Sequence, residues 1–217
     1  MPDGRGYQAR LTTPSAWAAY AHLRHHFGDP VAIWELPDPQ TFRAKKLDVA
    51  QFSPMGDGST ALLATCGVSN VAMPNGKFAE LFLLTRPAPD EETAVEAARL
   101  LRRVSLTSVT HNVPMQAGLM LRMPAEGRAF GRFSACLLFP PLAMVQTFAT
   151  IEHKDGKRVA WWWVVPVFEQ EAVFAEEYGA QELYARLAEE QADLADLRRD
   201  PLESMTQQRE TRILDLE

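Results

Sequence analysis

Phe148-Ala149-Thr150-Ile151-Glu152-His153-Lys154-Asp155-Gly156-Lys157-Arg158-Val159-Ala160-Trp161-Trp162-Trp163-Val164-Val165 is the stretch on which the fold is decided. Two runs rich in β-branched and aromatic residues flank Lys154-Asp155-Gly156-Lys157. An Asp-Gly pair supplies the positive φ that a tight primed turn needs. The reading is a β-hairpin with arms at 148–153 and 158–165, ended by Pro166, which has no N–H to give a ladder. Strand alternation sends Trp161 and Trp163 to one face and Trp162 to the other. At least one face is core. The second is either covered by a helix or left as an aromatic patch of the kind that marks partner sites, and burial on both sides is the preferred reading.

Working outward, Thr13-Pro14 is a helix start, with a hydroxyl at the N-cap and proline at the first helical position. Trp17, Tyr20, Ala21, Leu23 and Phe27 recur at helical steps, and Gly28 with Pro30 stops them. Residues 31–36 read as a short strand closed by Pro37-Asp38-Pro39. Residues 47–52 alternate apolar and polar, as in a strand with one wet face. After the Gly56-Asp57-Gly58 turn, residues 60–66 are apolar on both faces and read as a central strand. Beyond the Pro74-Asn75-Gly76 turn comes another strand at 78–85.

Asp90 caps a second helix with Glu91-Glu92 in its first turn and Arg99, Arg102 and Arg103 in its later one, an order that opposes the helix dipole. Val95, Ala98, Leu101 or Leu100, and Val104 form its expected buried stripe. Strands are expected at 118–123 and 133–139. From Glu169 to about Asp196 the chain reads as helical, nicked at Gly179, with Phe174, Tyr178, Leu183, Tyr184 and Leu187 inward. Tight links outnumber crossovers, which points to α+β: a single domain with a mostly antiparallel mixed sheet flanked by helices. The expected limits are a flexible N-terminus at 1–12, the domain at 13–202 and a polar, loosely held tail at 203–217.

The chain has 217 residues, 47% apolar and 23% charged, with net charge -6. That is an ordinary globular composition, large enough to hold a core without metal or disulfide. Cys66 and Cys136 lie in apolar stretches without metal spacing and read as small buried hydrophobes of a reducing compartment. The acidic balance argues against nucleic acid as a partner. No apolar run reaches the roughly 18 residues of a membrane span, and no signal peptide is evident, so a cytoplasmic address without membrane association is expected.

Few residues stand in a pattern that carries chemistry. His22 and His26 stand one helical turn apart and would make half a zinc site, but the Glu of H-E-x-x-H is missing, so no metal is assigned. Cys66 with His111 could be a nucleophile pair, though it lacks the elbow that exposes a nucleophile. Glu169 and Glu171 suit the start of a helix better than a glycosidase acid/base pair. Phosphate-cradling motifs are absent, and no cofactor is expected. Residues 169–196 carry nine acidic side chains against the single Arg186. They form either an ordinary solvated face or a surface that steers a basic partner.

The ordered set of short motifs resembles the suppressor of fused domain family. It comprises His25-His26-Phe27-Gly28 with Val31-Ala32-Ile33-Trp34-Glu35-Leu36, then Leu47-Asp48-Val49, then Ala64-Thr65-Cys66-Gly67-Val68-Ser69-Asn70. Ala79-Glu80-Leu81-Phe82-Leu83-Leu84 and His111-Asn112-Val113-Pro114 follow. The set closes with Trp163-Val164-Val165-Pro166-Val167-Phe168-Glu169-Gln170-Glu171 and Asp196-Leu197-Arg198-Arg199. The resemblance spans about residues 17–202. It implies a non-enzymatic protein-binding domain, and for stand-alone bacterial-type members an immunity role, neutralising a cognate toxin by direct contact. It places Gly67, Ser69 and Asn70 on a turn beside which peptide binding is expected. The two-lobed animal regulators imply nothing here beyond their first lobe. The acidic balance adds a basic toxin as the expected partner, with Glu176, Glu177, Glu189 and Glu190 as contacts. The alternative from the residues themselves is a hydrolase using Cys66 and His111.

Overall fold

The computed structural model describes residues 13–36, 47–55, 59–142, 144–152 and 156–205. Helix α1 (Pro14–Phe27) begins where the capping chemistry puts it: the Thr13 hydroxyl accepts the Ala16 N–H at 3.2 Å. It ends at Gly28, whose φ of +78° suits glycine and whose N–H returns to the Arg24 carbonyl. Strands β1 (Pro30–Leu36), β2 (Leu47–Met55), β3 (Thr60–Cys66) and β4 (Phe78–Thr85) follow as an antiparallel meander. Helix α2 (Glu91–Thr110) is capped by the Asp90 carboxylate on the Thr93 N–H. The second half supplies β5 (Met120–Arg122), β6 (Ala135–Phe139), β7 (Thr150–Glu152), β8 (Arg158–Val167), α3 (Glu169–Tyr178) and α4 (Ala180–Glu189).

One eight-stranded sheet results, in the order β1-β2-β3-β4-β8-β6-β5, with β7 on the first residues of β8. The β4–β8 pair is parallel and every other pair is antiparallel, so the fold is the α+β class expected. β8 is the seam between the halves. It takes β4 along Val159–Trp163 on one side, and β7 and then β6 on the other.

Each face of the sheet carries a core. Trp161 and Trp163 join Phe52, Phe82 and Phe148 beneath α1, α3 and α4. Val164 joins Leu63, Leu81, Leu83 and Leu138 beneath α2, with Trp162 packed at the margin of that cluster. Both faces of the tryptophan strand are therefore covered. A tryptophan removing roughly 200 Å² from water is worth about 5 kcal/mol of apolar transfer.

The structure departs from the sequence reading at several points. β2 has no wet face at its start: Asp48 is only 1% exposed, because α2 covers one side of the meander and α1 the other. α2 runs seven residues beyond Arg103 to Thr110, so Arg99, Arg102 and Arg103 sit mid-helix and the last turn holds no base. Ala94 and Ala97, not Val95, start its buried stripe. Pro166 lies inside β8, opposite Cys136. Beyond Trp163 no β4 residue pairs with β8, so the missing N–H breaks no ladder on that side.

The first hairpin arm is short, with Phe148 in a 3-10 turn (Gln146–Phe148) ahead of β7. Continuous helix ends at Glu189, and Tyr178 is exposed, its ring tilted against Phe174 with centroids 4.6 Å apart. Met205, three residues past the expected boundary at 202, still packs in the core. The N-terminus 1–12, the turns at 37–39 and 56–58, the hairpin-turn residues 153–155 and the tail 206–217 lie outside the described residues. No described helix is long and apolar enough to cross a membrane.

Candidate protein-interaction surface

The family-like turn is built around a buried carboxylate. Glu80, fully buried on β4, reaches the 3-10 turn Val68–Asn70 and the Gly67 before it. One of its oxygens accepts from the Gly67 and Ser69 N–H groups at 2.9 and 3.1 Å and from the Ser69 hydroxyl at 2.6 Å. The other accepts from the Thr65 hydroxyl at 2.6 Å and the Val68 N–H at 3.3 Å. Thr65 in turn accepts the Leu81 N–H at 2.8 Å. Burial raises the Glu80 pKa, and the hydrogen bonds from Ser69, Thr65 and the Gly67 backbone work against that rise.

Gly67 has φ +129°, a region where a side chain would be strained. The turn is thus held rigid from beneath. Ser69 is 1% exposed and spends its hydroxyl on Glu80, and Gly67 is buried, whereas Asn70 is partly exposed. Of the three, Asn70 alone offers a side chain at the surface. Sequence reading found the turn but not its anchor, because Glu80 is 11 residues from Ser69 and nothing local links them.

The acidic helices are less uniformly free than their composition implies. Arg122 on β5 forks onto Glu176 at 2.8 and 3.0 Å and reaches Glu169 at 2.8 Å, joining α3 to the far edge of the sheet. The Arg122 guanidinium holds the Glu176 carboxyl below the usual carboxylate range. Glu171 does serve the start of α3, accepting the N-cap N–H from the first turn, but it does so from the interior. It is fully buried, meets both Arg199 nitrogens at 2.7 Å, and also accepts the Phe168 and Leu202 N–H groups. Arg199 lies over Phe168 with its guanidinium carbon 4.9 Å from the ring centre. This pair straps the chain after α4 to the start of α3.

Glu177, Glu182, Glu189 and Glu190 are all exposed. Glu189 faces Arg186 at 3.5 Å in an exposed pair, and Glu190 accepts from the neutral Ser204 hydroxyl.

The two expected contact regions are not adjacent. The Gly67 turn follows the last residue of β3, whereas the acidic end of α4 leads to Asp193, whose carboxylate takes Arg86, which in turn bonds Thr60 at the first residue of β3. Seven strand residues at about 3.3 Å each separate them by roughly 20 Å.

Nor are Cys66 and His111 brought together. Cys66 belongs to the core beneath α1, and burial, with Glu80 and Asp48 nearby, drives its thiol well above the ordinary pKa. His111 is exposed at the C-terminal end of α2, on the opposite face. His22 stacks on Trp161 with centroids 6.1 Å apart and holds its Nε2 3.2 Å from the Phe148 carbonyl. Burial lowers its pKa to about 4, so it packs as a neutral ring. No group of three or more potential metal ligands occurs among the described residues.

The family model for "Suppressor of fused protein (SUFU)" matches residues 43–200. Among solved structures, a SUFU homolog from Neisseria gonorrhoeae FA 1090 superposes with a TM-score of 0.66 at 17% identity, covering 86% of this chain and 96% of that one. The Sufu-Fu complex gives a TM-score of 0.63 at 12% identity, covering 94% of this chain and 97% of that one. Drosophila Suppressor of Fused gives 0.53 at 12% identity; the match takes in 77% of this chain but only 46% of that protein, about half its length. A search of curated proteins finds no match. At these identities the structural likeness carries the fold alone, and the family model carries the assignment: the chain belongs to the suppressor of fused family.

Proposed function

We propose that this chain is a non-enzymatic protein-binding domain of immunity type, which neutralises a cognate basic toxin by direct contact through the acidic face of α3 and α4. One observation carries the reading. Glu177 on α3, Glu182 and Glu189 on α4 and Glu190 at its C-cap stand exposed, on consecutive helices whose only base is Arg186, in a chain of net charge -6. Such a surface raises the encounter rate with a basic protein and disfavours acidic ones. The family membership supports protein binding in general, and the structural relative solved as the Sufu-Fu complex is by its name an assembly of two proteins. Asn70, on the turn braced by Glu80, is the second contact proposed, with Gly67 and Ser69 shaping the backbone that presents it. Because the turn lies about 20 Å from the Thr60 end of β3, a partner touching both regions must span at least the length of about seven extended residues.

An immunity protein has to be made alongside its toxin, so the product of the adjacent gene is the partner to titrate. Reversing Glu176, Glu177, Glu189 and Glu190 to Lys is expected to weaken binding at low salt by about tenfold or more, chiefly through a slower association rate, with the circular dichroism spectrum unchanged. Unchanged affinity would remove the electrostatic reading.

A further inference from the structure

A cleft of about 350 Å³ opens beside α4 at the Thr60 end of β3. Its walls are apolar: Leu84 and Trp163 from the sheet, Tyr184 and Leu187 from α4, Leu194 from the segment after it, and Leu142 from the loop following β6. Arg86 and Asp193 close one side and neutralise each other at 3.0 Å. Leu142 and Val145 on that same loop are 57% and 64% exposed, the two most exposed of the large apolar side chains described. Paired apolar exposure next to a formed concavity is unusual for a surface with nothing to bind. Pro140-Pro141 stops β6 and pushes the apolar residues after it out of the sheet, a sequence signal that the strand pattern leaves unexplained.

We infer that this cleft receives one aliphatic or aromatic side chain of the partner, flanked in the partner's sequence by lysine or arginine. The inference rests on the protein-binding reading above and says where that contact is anchored. Charge decides the flanks. Glu189 and Glu190 follow Ala188, which lines the cleft; Glu189 shares a long, exposed pair with Arg186 at 3.5 Å, and Glu190 is met by the neutral Ser204 hydroxyl. A basic residue beside the inserted side chain therefore meets carboxylates, while an acidic one meets repulsion. The size suits one or two side chains and lies at the low end for small-molecule pockets. An anchor of this kind, apolar at its centre and charged at its rim, is the usual form of a binding hot spot.

The test uses the full chain and three capped peptides: Lys-Lys-Leu-Phe-Lys-Lys, Lys-Lys-Ser-Ser-Lys-Lys and Glu-Glu-Leu-Phe-Glu-Glu. Binding is read from amide chemical shifts at low salt. The first peptide is expected to bind saturably and shift Leu142, Leu187 and Leu194, with the other two weaker by about tenfold or more. Leu142→Asp, an exposed loop change that leaves the core intact, is expected to weaken the first peptide by a similar factor. Equal binding of the serine peptide, shifts confined elsewhere, no saturable binding, or an unaffected Leu142→Asp chain would each overturn the cleft assignment. In the adjacent-gene titration the two readings separate. Full affinity in Leu142→Asp sinks the cleft alone, whereas full affinity after reversal of the four glutamates sinks the acidic face and the basic flanks together and leaves only the apolar anchor standing.

Discussion

Replacing Glu80 with Gln changes one oxygen to an amide nitrogen and alters almost no volume, so its effect isolates the hydrogen-bond chemistry. Each carboxylate oxygen accepts from more than one donor: Gly67, Ser69 and the Ser69 hydroxyl on one side, Val68 and the Thr65 hydroxyl on the other. Whichever way the Gln amide is turned, its NH2 faces at least two donors and leaves them unsatisfied in a fully buried site. An unsatisfied buried donor costs about 1–3 kcal/mol, and a rotating hydroxyl recovers part of it. The expected loss is about 3 kcal/mol, out of a typical total of roughly 5–15 kcal/mol. For a chain of this size that is about 6–12 °C in melting temperature.

Urea denaturation gives the energy, and hydrogen exchange at Gly67, Val68 and Ser69 gives the location. Those three amides should lose protection before the centre of β3 does. A Glu80→Gln chain within about 0.5 kcal/mol of the parent, or one whose turn amides stay as protected as before, would refute the claim that this carboxylate holds the turn.

Other outcomes follow from the same geometry. Arg199→Met should destabilise by about 3–5 kcal/mol in a thermal melt because it strands the buried Glu171 charge, and adding Glu171→Gln should restore part of the loss. The His22 pKa lies near 4, below the 6.5 of the unfolded chain, so the unfolded state takes up its proton first as pH falls. That contribution is full above pH 6.5 and lost progressively down to about pH 4. It amounts to about 1–2 kcal/mol after discounting for partial exposure, and a His22→Gln chain should show a flatter pH profile in urea melts. Iodoacetamide at neutral pH should leave Cys66 and Cys136 unlabelled in the native chain and label both in urea, since both thiols are buried with raised pKa values. Arg122→Ala should change stability by less than about 1 kcal/mol yet tighten binding of a basic partner at low salt, because it frees Glu169 and Glu176.

Local chemistry in the sequence located the elements well. Thr13-Pro14, Asp90 and Gly179 mark helix ends because their reach is one turn, and that is visible within four residues of chain. Alternation likewise told which tryptophans share a face. It could not tell which strand lies next to which. The parallel β4–β8 pairing joins residues 81 apart, and only that pairing explains why Pro166 is tolerated within β8.

The same limit governed the site. Gly67-Val68-Ser69-Asn70 reads as a turn from its own residues, but Ser69 faces inward because Glu80 lies beneath it. Glu171 looks like one acid among nine until Arg199, 28 residues on, is placed against it. Asp48 reads as solvent-facing for the same reason: period two reports alternation, and coverage by α1 and α2 is a tertiary fact.

The claim on which the rest turns is that the chain acts by holding another folded protein. Calorimetric titration of the full chain with the product of the adjacent gene tests it most directly, paired with an activity assay of that product. A saturable one-to-one complex that silences the product and weakens steeply as salt rises is expected. No complex at micromolar concentrations, or a complex indifferent to salt that leaves the product active, would contradict it.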